Sequence, residues 1–177
     1  MIQIMLKDYK KKRNFKQTPE PSTSQQSSCK DPLIFVIQKH SARQQHYDLR
    51  LEADGVLKSW AIPKEPSLNP KMKRLAVMVE DHPMDYSKFE GIIPEGQYGA
   101  GKVIIWDKGN YFPYNNGEYL FTNRSSAQEV IREGLINGKL SIYLEGEKLK
   151  GAWTLIRTKP DDKKWLLIKH RDEKTRR

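Results

Sequence analysis

Apolar and polar residues alternate along most of this chain, and a period of two predicts strands. In HSARQQHYDLRLE, residues 40–52, Tyr47, Leu49 and Leu51 share one face of an extended segment. His46, Asp48, Arg50 and Glu52 share the other, and His40 has the same parity. KRLAVMVEDH, residues 73–82, repeats the pattern, with Leu75, Val77 and Val79 opposite Arg74, Ala76, Met78, Glu80 and His82. Further strands are expected at LIFVIQ (33–38), VLKSWAI (56–62), KVIIWDKG (102–109), GEYLF (117–121), KLSIYLEG (139–146), GAWTLIRTK (151–159) and KKWLLIKH (163–170). Asp54-Gly55, Asn116-Gly117 and Asn137-Gly138 are turn signals between them. One short helix is predicted at SSAQEVIREG, residues 125–134, with Ser126 and Glu129 as a capping box and Gly134 as its stop.

Many short strands with one clear helix predict a mainly β fold, a compact antiparallel β barrel with a few short helices. Closure removes sheet edges and creates an interior. If the polar faces of residues 40–52 and 73–82 line that interior, it is a polar active-site cavity rather than a filled core. PKEPSLNPKMK, residues 63–73, is a long connection, with Lys64 just past a strand end. PMDYSKFEGIIPEGQYGAG, residues 83–101, is rich in Gly and Pro but lacks the GxxxxGK[ST] pattern of a phosphate-binding loop, so it is expected to form tight turns. Tyr86 stands four positions past His82, close enough to share its site.

Charge sharpens the picture. The 177 residues carry 32 Lys+Arg against 22 Asp+Glu, a net charge of +10 that favours a polyanionic partner, nucleic acid before an anionic membrane surface. No apolar run approaches the ~20 residues needed to span a bilayer, so no membrane partner is expected. A single cysteine, Cys29, excludes an intrachain disulfide and points to an intracellular, reducing, cytoplasmic setting. The chain divides into a basic arm (1–30), a barrel domain (31–171) and a basic tail (172–177). The composition of the arm, with TPEPSTSQQSS at 18–28, predicts a disordered tail; the other reading is a segment that folds over a nucleic-acid site and touches phosphates.

His40, His46 and Asp48 suit a divalent metal with mixed nitrogen and oxygen ligands, and three protein ligands leave positions open for substrate or water. An alternating polar face is also what a plain solvated strand presents. Two other functional classes fit the same residues. A 2-His-1-carboxylate iron oxygenase fits the ligand set, and a non-catalytic nucleic-acid-binding barrel fits Trp60, Trp106 and Tyr98 as stacking platforms.

FVIQKHSARQQHYDLRLEADGVLKSWAIPKEPS, followed by KRLAVMVEDHPMDYSKFEGIIPEGQYGAGKVIIWDKG, resembles the 3′-phosphoesterase module of the bacterial repair ligase called DNA ligase D. The resemblance runs from about Arg13 to the WLLIK strand. Without ligase or polymerase domains, the chain is similar to the stand-alone versions of this module in prokaryotes. The resemblance implies a β barrel and a Mn²⁺-dependent enzyme of DNA 3′ ends. Its substrates would be primer–templates with a 3′ ribonucleotide or a 3′-phosphate. It would remove a terminal ribonucleoside to leave a 3′-phosphate, then the phosphate to leave a 3′-OH. A separate DNA ligase or polymerase would use that end. The resemblance places His40, His46 and Asp48 on the metal and aims His82 at the scissile phosphate. It puts Arg50 and Arg74 on phosphate oxygens, Lys64 at the same site, and Glu80 and Tyr86 at further active-site positions. RNFKQTPEP, residues 13–21, resembles a family motif that brings Arg13 and Glu20 near the phosphate, and this resemblance replaces the disordered-tail reading with an arm that partly folds over the active site. Asn14 stands where Asp is usual, keeping the shape without the charge.

Overall fold

The computed structural model describes residues 1–23, 31–115, 117–119 and 123–171. Cys29, the second half of the linker, Asn116, Leu120, Phe121 and the 172–177 tail lie outside the described residues. The strands are β1 (Leu33–Ser41), β2 (Gln45–Ala53), β3 (Val56–Ile62), β4 (Lys73–Pro83), β5 (Gly91–Ile93), β6 (Gly101–Asn115), β7 (Glu118–Tyr119), β8 (Lys139–Gly146), β9 (Lys150–Arg157) and β10 (Lys164–Lys169). Eight of them run in the order β1-β2-β3-β4-β10-β9-β8-β6, and β6 pairs back onto β1 to close an antiparallel barrel. The short β5 and β7 add to β6 outside the ring.

The barrel interior is apolar, not polar as the sequence reading expects. Leu49 and Leu51 of β2, Trp60 of β3, Trp153 of β9 and Trp165 of β10 meet there in one cluster, each at most 1% exposed. A ring of eight strands leaves an interior that side chains just fill, and burying a set of charges there carries a large desolvation cost. The alternation itself is as expected; Asp48 and Arg50 simply point the other way, to the outer face of the wall. Trp60 is therefore core, in edge-to-face contact with Trp165 at 5.7 Å, and not a stacking platform.

Strand β4 does not keep one parity. Leu57 of β3 pairs with His82, but Ser59 pairs with Val79, so Lys58 faces two residues, Glu80 and Asp81. This bulge switches faces. Ala76 and Met78 pack on the barrel core, whereas His82, of the same parity, comes to the outer face.

Helix α3 (Arg124–Asn137) starts and ends elsewhere than the capping-box reading places it. Its N-cap is Asn123, whose side-chain oxygen accepts from Ser126 N at 2.8 Å. Gly134 does not stop it; a Cβ there would lie 2.9 Å from Leu140 Cδ1, so the glycine allows the helix to approach β8. The stop is Gly138, in the left-handed conformation at φ 78°.

The described part of the arm packs against the barrel rather than forming an open tail, as two short helices followed by turns and irregular backbone. Helices α1 (Ile2–Met5) and α2 (Lys7–Lys11) lay Leu6 and Tyr9 against the outer wall, with Tyr9 fully buried. Among the described residues, no helix is long and apolar enough to cross a membrane.

Candidate active site

The β1–β2 hairpin sets the first three side chains. His40 pairs directly with His46, and Gln38 with Asp48. All four stand on the outer face, so the site is a patch two residues deep on each strand. Potential ligand atoms of His40, His46 and Asp48 lie within 4.8 Å of one another. His46 Nε2 is 3.3 Å from Asp48 Oδ2, and His40 Nδ1 is 3.7 Å from it.

The other nitrogen of each ring is committed. His40 Nε2 donates to Gly99 O at 2.6 Å, and His46 Nδ1 to Gln44 O at 3.0 Å. A carbonyl only accepts, so each of these nitrogens carries the proton. In the neutral ring, the form that binds a metal, the site-facing His40 Nδ1 and His46 Nε2 then carry the lone pair; in the protonated ring the same atoms donate to Asp48. Burial alone would raise the Asp48 pKa. The Arg50 guanidinium, together with hydrogen bonds from His40 and His46, overturns that and holds the carboxyl ionised, well below the usual carboxylate range. Burial opposes charge on His46 too, but Asp48 outweighs it and raises the His46 pKa.

Arg50, 3% exposed, lies next along β2. Its Nε donates to Gln38 Oε1 at 2.7 Å, its Nη2 lies 3.4 Å from Asp48 Oδ2, and its guanidinium sits over the Tyr86 ring at 4.7 Å. Its Nη1 is buried without a hydrogen-bond partner among the described residues. Gln38 also donates to the carbonyls of Tyr86 and Phe89, at 2.7 and 3.1 Å, which fixes the 3₁₀ turn Met84–Lys88 beneath the site.

The arm supplies the opposite wall. Arg13 Nε binds Glu20 Oε2 at 2.9 Å, its Nη1 lies 3.3 Å from Glu80 Oε1, and its Nη2 lies 3.3 Å from His82 Nε2. The Glu20 carboxylate also accepts from Tyr86 OH at 2.8 Å and Thr18 Oγ1 at 2.9 Å. His82 Nδ1 donates to Glu80 O at 2.9 Å, so its Nε2 lone pair faces Arg13. Burial, and then the charges of Arg50 and Arg13, push the His82 pKa well below that of a free imidazole, and the ring is neutral at physiological pH. Burial raises the Tyr86 pKa, so Tyr86 remains a hydroxyl donor. Burial works against ionised Glu80, but its own backbone N–H, Lys12 and Arg13 outweigh it and lower its pKa.

These groups enclose a cavity of about 310 Å³ lined by Arg13, Glu20, His40, His46, Asp48, Arg50, Glu80, His82 and Tyr86, with Tyr98 and Gly99 at the loop side. Three sequence candidates are not among its lining residues. Arg74 precedes the β4 bulge and follows the core parity of Ala76; its Nε donates to Glu65 O at 2.8 Å beside Trp106 and Lys148, in a separate pocket. Lys64 is exposed. Asn14 is exposed and its side chain accepts from Lys16 N at 3.1 Å, closing its own turn. The sequence reading passes over Gln38 and the Gly99 carbonyl. A glutamine ending an apolar run in the parity of His40 is a usable signal; a carbonyl leaves none.

Among known proteins, the profile described as DNA ligase D 3′-phosphoesterase domain matches residues 38–157. The chain is 49% identical over 174 residues to the multifunctional non-homologous end joining protein LigD of Pseudomonas aeruginosa, covering 97% of this chain and 19% of that protein. It is 41% identical over 166 residues to the multifunctional non-homologous end joining DNA repair protein LigD of Mycobacterium tuberculosis, covering 94% of this chain and 20% of that protein. The corresponding protein of Mycolicibacterium smegmatis is 40% identical over 173 residues, covering 97% and 21%. The chain thus spans about a fifth of the length of these relatives. With the match extending across more than half of the chain and through the strands that build the cavity, this chain belongs to the DNA ligase D 3′-phosphoesterase domain family.

Proposed function

We propose that the protein is a metal-dependent phosphoesterase of DNA 3′ ends, which removes a 3′-terminal ribonucleoside to leave a 3′-phosphate and then removes that phosphate to leave a 3′-OH. The observation that carries this reading is Arg50. A buried guanidinium with an unpartnered Nη1 stands beside a His-His-Asp donor set in one cavity. An unsatisfied buried donor costs about 1–3 kcal/mol. A phosphate oxygen would relieve that and match the fork geometry of arginine. The arginine fork also accepts carboxylates, but the net charge of +10 suits the phosphates of a polyanion better than an oxidised organic substrate.

His40 Nδ1, His46 Nε2 and Asp48 would hold the ion, Mn²⁺ or another divalent transition metal that takes mixed nitrogen and oxygen donors. When bound, such an ion polarises a phosphate oxygen. Arg50 binds and orients the phosphate through Nη1, held in aim by Gln38. Arg13, braced by Glu20, neutralises charge at the arm side. His82 enters neutral, so Nε2 takes a proton from the attacking hydroxyl before it returns one to the leaving oxygen. Tyr86 keeps Glu20 in place and gives Arg50 an aromatic floor. Glu80 locates His82 through its carbonyl and Arg13 through its carboxylate. Arg74, Lys64 and Asn14 lie outside the cavity and are given no bond to the reacting phosphate. The product would serve a ligase or polymerase in end joining.

The test uses a 5′-labelled primer–template with one 3′ ribonucleotide, incubated with Mn²⁺, with and without chelator, beside His40→Ala and His82→Ala. Stepwise shortening to a 3′-phosphate and then a 3′-OH is expected, and lost in all three controls. A primer that binds but stays unchanged would sink the esterase reading.

A further inference from the structure

Tyr98 is an exposed aromatic side chain, at 48%, and it stands on the rim of the cavity. Exposed tyrosines are common and need no explanation by themselves. This one is unusually well held. Gln97 N donates to Pro94 O at 3.2 Å and Ala100 N to Gln97 O at 3.1 Å, which ties the loop into consecutive turns on either side of it. Gln97 Nε2 donates to Gln17 Oε1 at 2.7 Å, which fastens the same loop to the arm. The next residue, Gly99, gives its carbonyl to His40, so the ring is one residue from the group that orients a metal ligand. Gly99 needs its left-handed φ of +74° to make that reach.

Two cations border the ring. Lys12 Nζ lies 4.9 Å from its centroid and the Arg13 guanidinium 5.3 Å. The rim therefore carries an aromatic surface beside positive charge, the combination that receives a nucleobase on one side and its phosphate on the other. Nothing in the phosphate chemistry of the cavity uses it. Arg13 and His82 face each other below, Arg50 lies over Tyr86, and the Tyr98 ring adds only its contact with Arg13.

We propose that Tyr98 is a specificity residue that stacks on the terminal nucleoside of the 3′ end. This rests on the phosphoesterase reading and deepens it, because it separates the two substrates. A 3′-terminal ribonucleoside presents a base beyond the scissile phosphate, and a 3′-phosphate end presents none. Tyr98 then favours the diester step and leaves the monoester step alone.

The experiment compares native protein with Tyr98→Ala and Tyr98→Phe on two primer–templates, one ending in a ribonucleoside and one in a 3′-phosphate. Metal-free binding is followed in parallel with 2-aminopurine riboside as the terminal residue. Tyr98→Ala is expected to raise KM for the ribonucleoside end roughly 10-fold, the scale of one lost stacking contact. It should leave kcat near native, leave the 3′-phosphate end unchanged, and abolish the fluorescence quench on binding. Tyr98→Phe should behave as native, since the ring and not the hydroxyl carries the contact. Native quench in Tyr98→Ala, or equal losses on both substrates, would overturn the assignment. If native protein processes neither substrate, it is the phosphoesterase reading that falls. An unchanged thermal midpoint in Tyr98→Ala would confirm that the comparison is between folded proteins.

Discussion

Two histidines in one cavity are pushed in opposite directions, and this gives the site a measurable signature. His82 is kept neutral by burial and by Arg50 and Arg13, so its folded pKa lies below the free value of 6.5. Below that pH the unfolded chain takes up a proton that the native protein refuses. Stability therefore falls with pH from about 6.5 downward, by up to about 1.4 kcal/mol per pH unit. His46 has a raised pKa, so the native protein binds its proton more tightly, and its contribution is present below 6.5 and lost as pH rises. Urea denaturation at pH 7.0 and 5.5 separates them. His82→Gln should be less destabilised by acid than native protein, and His46→Gln more so; identical slopes in all three would refute the assignment. Asp48 offers a second test. Its carboxylate joins both imidazoles, so Mn²⁺ at 100 times its dissociation constant should stabilise native protein by about 2.7 kcal/mol and Asp48→Asn hardly at all, read as a shift in the denaturation midpoint. At this scale the sequence is informative. The spacing of His46, Asp48 and Arg50 at alternate positions puts them on one strand face, and the parity of His40 adds the fourth group. Tautomers are another matter. They depend on the carbonyls of Gly99 and Gln44, whose direction no side-chain identity encodes.

Elements were legible where one rule acts over many residues and illegible where a single residue breaks it. Strands β3 and β8 fall on the segments that alternation predicts, residues 56–62 and 139–146. The parity of β4 fails because of one extra residue at Glu80–Asp81, and that residue decides that His82 joins the site while Arg74 does not. Composition likewise misjudges the arm, because its low apolar content hides a few well-placed anchors. Leu6, Tyr9, Thr18 and Glu20 are each at most 5% exposed. The arm is fastened at Glu80, which receives Lys12 at 3.1 Å and Arg13 at 3.3 Å. Glu80→Gln removes the charge from that junction while Glu20 still holds Arg13. Local opening of the arm should become easier by about 1–3 kcal/mol. Amide exchange at Tyr9–Arg13 should quicken by roughly 5- to 150-fold, by that free energy, while β8 amides hold their rate. Unchanged exchange in the arm would place the fastening elsewhere, in the packing of the buried Tyr9 ring and the bond from Thr23 to Asp85.

For the whole molecule, closure of the barrel was readable from the sequence but not what it encloses. Alternation tells which residues share a face, not which face turns inward. Three tryptophans at most 1% exposed decide that question through packing, and the charged face is left outside. The consequence is functional. A site inside a filled barrel would admit nothing, whereas a cavity on the outer wall can receive the end of a long polymer that stays in solvent. The arm beside that cavity exposes Lys7, Lys10, Lys11, Lys12 and Lys16, and the chain carries a net +10. A DNA strand leaving the cavity past the arm would lie against these cations, and its affinity should fall with salt through counterion release. Plots of log K against log salt for a duplex with a recessed 3′ end should be linear and steep. Lys10→Gln with Lys11→Gln, both exposed and outside the cavity, should flatten the slope by about 1.8 if each lysine meets one phosphate, from ~0.9 per contact. Turnover at saturating primer should hold, because neither lysine touches the reacting phosphate. A slope unmoved by the double substitution would mean that the duplex leaves the site on another side, away from the arm.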